Sequence, residues 1–152
     1  MQRLGMIALA CATLAACEPV PTDQAAPWTP PPPPERLGDA QWQLATLAGE
    51  DATSLIRLQL SGSFIDGQGP CNSIQGNYLG TGPIFRVETV VTTRATCPEI
   101  EYEQDFIQTL LTARSGQIED RTLTLLDEGG AAVMTFDAFY PDAPVEDAPD
   151  PT

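Results

Sequence analysis

The chain has 152 residues, with twenty-one acids against seven basic side chains, all of them arginine, and no histidine. A formal net charge of -14 leaves no clustered cations to displace counterions, which excludes nucleic-acid binding; an anionic lipid surface would repel the body as well. Without histidine or lysine there is no Ser-His or Cys-His couple, no His-bearing metal motif and no Schiff-base lysine; carboxylate, thiol or hydroxyl chemistry remains, and the expectation is no catalytic residue, resident metal or cofactor.

The N-terminus reads as an export signal. Met1-Gln2-Arg3 carries one positive charge, and Leu4 to Leu14 is a short apolar run ending in small residues. That is the pattern of a removable leader, too short for a spanning helix of about 20 residues. Leu14-Ala15-Ala16-Cys17 resembles a bacterial lipobox, which makes residues 1–16 a lipoprotein signal peptide and Cys17 the acylated first residue of the mature chain. Cys11, in mid-run, fits that role less well. Several acyl chains give stable anchoring where one is marginal, so the expected partner is a membrane held through Cys17. Glu18 follows the cysteine; by resemblance to proteobacterial lipoproteins, the absence of Asp there favours the outer membrane, facing the periplasm.

Residues 17–38 then read as a tether. Pro30 to Pro34 are consecutive, which favours extended polyproline II and a semi-rigid spacer. Residues 140–152 are acidic and proline-rich, with little to bury, and are expected to be disordered. A single domain is therefore expected over 39–139, large enough to bury a core of its own.

Within it, Trp42 to Leu47 suggests a strand, and Ile56 to Leu60 alternates strictly, as a half-buried strand does. Ser61-Gly62-Ser63 is a turn, and Phe64 to Gly67 returns. Ser73 to Leu79 and Ile84 to Val87 form a second hairpin across Gly80 to Pro83, and Val90 to Thr93 is short and β-branched. From Pro98 to Arg114 the period changes: Tyr102, Phe106, Leu110 and Ala113 share one helical stripe. Pro98 suits the first helical position and Gly116 a terminator. Thr122 to Leu126 and Ala132 to Phe136 close the domain around Asp127 to Gly130. The ordering predicts an α+β fold: a mainly antiparallel, curled, barrel-like sheet with one helix inserted before the last hairpin.

Cys71 and Cys97 are the two cysteines of this region. In an exported protein such a pair most simply forms a disulfide. The alternative is a reactive thiol, because Cys97 precedes a helix whose dipole lowers thiol pKa; against it, the two cysteines are far from the Cys-x-x-Cys spacing of redox motifs.

Taken together these residues resemble the META-domain (HslJ-like) family of bacterial envelope proteins. Trp42-Gln43-Leu44 is similar to its opening strand, Gly67 to Tyr78 to its Gly-Cys-Asn…Gly-x-Tyr core, and Thr93 to Cys97 to its Thr-Arg-x-x-Cys element. Glu103, Phe106 and Leu110 fit the following helix, and Leu123 to Leu125 and Met134 to Phe136 the closing strands. Pro70 replaces the usual glycine before the cysteine, and Ala95 stands where methionine is common. The resemblance implies links to heat-shock, stress and envelope phenotypes and carries no established reaction.

The candidate binding residues are Asn72, Thr93 and Arg94, which a Cys71–Cys97 bridge would gather into a small polar pocket for a peptide terminus or an anionic group, arginine's fork suiting carboxylates. The opposing structural reading has Asn72 satisfying turn backbone and Arg94 paired with Glu99. Glu99, Glu101, Glu103 and Asp105 crowd the helix start and read as a solvated acidic face favoured by the dipole; the glycines at 67, 69, 80 and 82 read as turn residues. The expectation is a non-enzymatic envelope lipoprotein that supports envelope integrity or stress tolerance through contacts with an envelope protein. The alternative is a binding module for a small ligand, peptide or protease.

Overall fold

A computed structural model describes residues 28–143. After a short 3-10 helix (Leu37–Asp39), nine strands and one α-helix run in the order β1 (Gln41–Leu47), β2 (Glu50–Asp51), β3 (Arg57–Ser61), β4 (Phe64–Gln68), β5 (Ser73–Gly80), β6 (Phe85–Thr92), α1 (Ile100–Thr112), β7 (Ser115–Glu119), β8 (Thr122–Leu126) and β9 (Ala132–Phe139). All pairings are antiparallel. The sheet order is β6-β5-β4-β3-β1-β9-β8-β7, with β2 folded back on the end of β1. This is the curled antiparallel α+β fold expected.

The curl has local causes. Register shifts fall between β1 and β9 at Leu44/Thr46, between β5 and β6 at Asn77/Tyr78, and between β8 and β9 at Leu125/Leu126. An extra residue on one strand bends it and increases its twist. The sheet coils far enough for its two outer strands to meet at one end, where Phe85 N–H donates to Arg114 O at 3.0 Å and Gly116 N–H to Gly82 O at 2.7 Å. Gly80 makes the tight entry to β6 possible. Its φ is +109°, and a Cβ there would overlap the Ile84 carbonyl, so only glycine fits.

Inward-facing side chains at alternate positions fill the curl. Trp42, Leu58, Leu60, Ile65, Ile74, Tyr78, Phe85, Leu123, Leu125, Met134 and Phe136 are buried, and α1 adds Phe106 and Leu110. Phe106 meets Phe136 edge-on at 6.3 Å between ring centres, which places α1 across the interior against β6 and β9. Each such large side chain contributes roughly 1.5–3 kcal/mol by leaving water. Burial pushes the Tyr78 phenol above its ordinary pKa.

The folded body starts before Asp39. Pro34, Leu37 and Ala40 are buried, and Trp42 Nε1 donates to Leu37 O at 2.7 Å. Pro31 is held as well, its carbonyl accepting from the Arg121 guanidinium. The end of the proline run therefore lies on the domain, and the spacer can comprise only what precedes it. At the next turn, partial desolvation opposes ionisation of Asp39. Hydrogen bonds from Arg36 and from the Glu35 N–H outweigh it, and the carboxyl sits below its ordinary pKa.

Three other boundaries differ from the sequence reading. β6 is one strand, because the register shift lets Phe85 to Thr92 stay paired across what reads as a break. α1 begins at Ile100, with Pro98 in the preceding turn. Gly116 lies inside β7, and the helix stops earlier, where Arg114 Nη1 donates to the Leu111 and Ala113 carbonyls.

Candidate functional site

The densest polar cluster joins three segments: the β4–β5 turn, the link from β6 to α1, and the first turns of α1. Cys71 and Cys97 are bonded, with Cα atoms 5.7 Å apart. Next to them Asn72, 2% exposed, and Glu103, 1% exposed, are the buried polar residues among those described. Glu103 Oε2 accepts from the N–H groups of Cys71 (3.0 Å) and Asn72 (2.9 Å), and its Oε1 accepts from Asn72 Nδ2 at 2.6 Å. Asn72 Oδ1 in turn accepts from Thr93 Oγ1 and from the Ala95 N–H, both at 2.8 Å. Its Nδ2 also reaches Ala95 O at 3.4 Å.

Thr93 Oγ1 further accepts from Ser73 N–H at 3.2 Å, and Gly69 N–H donates to Asn72 O at 2.8 Å. No buried side-chain polar atom among the described residues lacks a partner. The buried carboxylate thus stands in for the backbone pairing that the turn cannot make with itself, and it ties that turn to the helix. Charge-assisted bonds of this kind are about twice as strong as neutral ones.

Of the candidate binding residues, Asn72 and Thr93 come together and Arg94 does not. Arg94 is exposed and has no ion pair among the described residues, with Glu99 or any other acid. The acidic reading of the helix start also needs correction at one position. Glu101 and Asp105 face solvent, but Glu103 is buried because it falls three residues before Phe106 and seven before Leu110, on the stripe that faces the core. Tyr102 is only half-buried, and its hydroxyl accepts from Thr53 N–H at 3.3 Å. The helical spacing of Glu103, Phe106, Leu110 and Ala113 was the available signal; counting the acid with its charged neighbours obscured it.

The Cys71 and Cys97 sulfurs and the Glu99 carboxylate lie within 4.8 Å of one another. Zinc-type coordination needs thiolates, and sulfurs spent in a bridge supply none. Residues 1–27, which hold the leader, Cys17 and the first half of the tether, lie outside the described residues. So does the tail beyond Ala143, although Tyr140 is half-buried with Arg121 5.3 Å from its ring centre.

This cluster spans Gly69 to Asn72, Thr93 to Cys97 and Glu103, and residues 35–139 match the META domain family as a whole. The chain belongs to the META-domain family. No curated protein is significantly similar to it. Among solved structures, an NMR structure of a protein from Burkholderia xenovorans is similar at 23% identity and a TM-score of 0.55, covering 80% of this chain and 99% of the other. A second NMR structure shares 17% identity with a TM-score of 0.53, covering 67% and 91%. These likenesses show the fold alone.

In this META domain Gly69 is fixed by the carboxylate. A Cβ at that position would overlap Glu103 Oε2, and the oxygen cannot retreat without leaving its two backbone donors. Gly69→Ala is therefore expected to cost about 1–3 kcal/mol, read as a lowered denaturant midpoint with an unchanged slope. An unchanged midpoint would show that the carboxylate is free to move.

Proposed function

We propose that this META-domain protein is a non-enzymatic envelope lipoprotein, anchored through lipid on Cys17 and supporting envelope integrity or stress tolerance through contacts with an envelope protein. One observation carries the non-catalytic part of this reading. Glu103, the buried carboxylate of the described residues, has both oxygens engaged by three internal donors, and Asn72 is as fully committed. A general acid or base must reach a substrate proton, whereas these groups hold the backbone.

The Cys71–Cys97 bridge supports export, since such bonds persist in oxidising compartments. The leader and the cysteine after Leu-Ala-Ala supply the anchor. Arg94, exposed beside the bridge and unpaired among the described residues, is available to a partner's carboxylate.

Crosslinking in intact cells, followed by capture of the chain from the envelope fraction, tests the reading. A discrete crosslinked species that weakens with Arg94→Ala is expected. Absence of any adduct in the envelope, or substrate turnover that depends on Glu103, would overturn it.

A further inference from the structure

We propose that the free edge of β7 takes up an extended, basic peptide segment of another protein as an added strand. The sheet ends at β6 on one side and at β7 on the other. α1 packs against β6, whereas β7 borders a groove of about 470 Å³ lined by Glu35, Thr81 to Pro83 and Ser115 to Glu119. At its start β7 is pinned by the bond from Gly116 N–H to Gly82 O, so this N–H points away from β8. Backbone groups alternate in direction along a strand, and Ile118, two residues on, turns its N–H and C=O the same way. Both open toward the groove, and neither has a partner on that side among the described residues.

Sheet edges are commonly blunted by lysine, proline or a bulge. β7 reads Ser115-Gly116-Gln117-Ile118-Glu119 and has none of these, and its register with β8 runs without a shift. β6, by contrast, carries a shift against β5. The proline strap does not close the groove either. Pro31 is held by Arg121, in the turn after β7, Pro34 is buried, and Glu35 follows on the groove wall. Prolines have no N–H to give to a ladder, so the strap frames this edge without pairing with it.

Charge selects the occupant. The lining holds two exposed carboxylates, Glu35 and Glu119, and no cation. The charged residues next to the lining in the chain are Arg36, Arg114 and Asp120, with Arg121 one step further. Arg36 is paired with Asp39 at 3.3 Å, and Arg114 is turned to the carbonyls at the end of α1. Arg121 is held between Pro31 O and the Tyr140 ring. Each guanidinium thus has a partner of its own, while Glu35 and Glu119 have no ion pair among the described residues. A lysine or arginine on the added strand would supply one. This chain cannot: outside the described residues its one basic side chain is Arg3, and residues 144–152 carry three acids. A second copy laid edge to edge would set the same carboxylates against each other. The fitting segment is therefore foreign and extended, with apolar side chains beside Ile118 alternating with basic ones beside Gln117 and Glu119.

The inference deepens the reading of contacts with an envelope protein and rests on it only for where such a segment is met. The isotope-labelled full-length chain, in a nonionic detergent at about 0.15 M salt, would be titrated by NMR with the capped hexapeptide Val-Arg-Val-Lys-Val-Thr. Its acidic counterpart Val-Glu-Val-Asp-Val-Thr and an N-methylated form of the basic peptide serve as comparisons. Saturable binding of the basic peptide is expected, with the Ile118 amide resonance moving as it gains an acceptor. Affinity should fall at least about tenfold for either comparison peptide. Glu35→Arg/Glu119→Arg, at two exposed positions, should keep its melting temperature and reverse the preference between basic and acidic peptides. The proposal is overturned by absence of saturation, by binding that survives N-methylation, or by a preference that the double variant leaves unchanged. Shifts gathered around the exposed Glu101 and Asp105, with Ile118 unmoved, would mark general attraction to an acidic chain and overturn it too. No lipid or native partner takes part, so failure here leaves the envelope reading to its own crosslinking test.

Discussion

Replacing Glu103 with alanine is expected to lower the stability of the domain by about 3–5 kcal/mol, the penalty for removing a buried charged partner from its donors. The side chain accepts from two backbone N–H groups and one side-chain amide; alanine leaves both backbone donors without this acceptor and Asn72 Nδ2 with only the long contact to Ala95 O. For a domain of this size the loss corresponds to a drop in melting temperature on the order of 15–30 °C. Glu103→Gln separates charge from shape. One amide oxygen can still serve the Cys71 and Asn72 N–H groups. The new NH2, however, would face Asn72 Nδ2, whose own oxygen is already taken by Thr93 and Ala95. A smaller loss of about 1–3 kcal/mol follows. If alanine at 103 melted with the wild type, the cluster would not be the brace described.

Opening the Cys71–Cys97 bridge is the second large effect. Its cysteines are 26 residues apart, and closing a loop of that length removes about 3–4 kcal/mol of chain entropy from the unfolded state. Stability of roughly 5–15 kcal/mol is typical for a whole domain, so this is a substantial fraction. Cys71→Ser/Cys97→Ser should match the wild type measured in reductant, and adding reductant to the variant should change nothing. The effect should also couple to Glu103→Ala, because the Cys71 N–H is one of the carboxylate's donors and both devices hold the same turn. Strictly additive losses would mean that bridge and carboxylate act on separate parts of the fold.

Elements whose residues declare their own burial were legible from sequence. β3 alternates apolar and polar side chains, and Leu58 and Leu60 do face inward; α1 carries a stripe, and Phe106 and Leu110 do lie in the core. β7 declared nothing. Ser115-Gly116-Gln117-Ile118-Glu119 has one large apolar side chain, and it is a strand because Gln117 and its neighbours pair with β8 and because Gly116 meets Gly82 across the sheet ends. Gly82 is distant in the chain, and although β8 follows directly, the propensities of these residues carry no information about either pairing. β2 is likewise a product of the tight turn at Ala48 and Gly49, both at positive φ.

The site divides in the same way. The two cysteines and Asn72 were recognisable as one neighbourhood, because the proposed bridge and the family pattern both place them there. The role of Glu103 was not, because a carboxylate in a run of acids reads as solvated unless its helical phase is given more weight than its charge. Arg94 lies outside the hydrogen-bonded cluster, exposed and without an ion pair among the described residues. Thr93, its neighbour in sequence, bonds to Asn72 while Arg94 does not, so adjacency along the chain need not carry into the site.

The intact mass of the chain isolated from cells tests the central claim most directly, because one spectrum reports export, anchoring and bridging together. The expected species begins at Cys17, carries fatty acyl groups on that residue, and is lighter by two hydrogens than the same chain after reduction. A species that keeps residues 1–16, bears no fatty acid and has Cys71 and Cys97 as free thiols would contradict it.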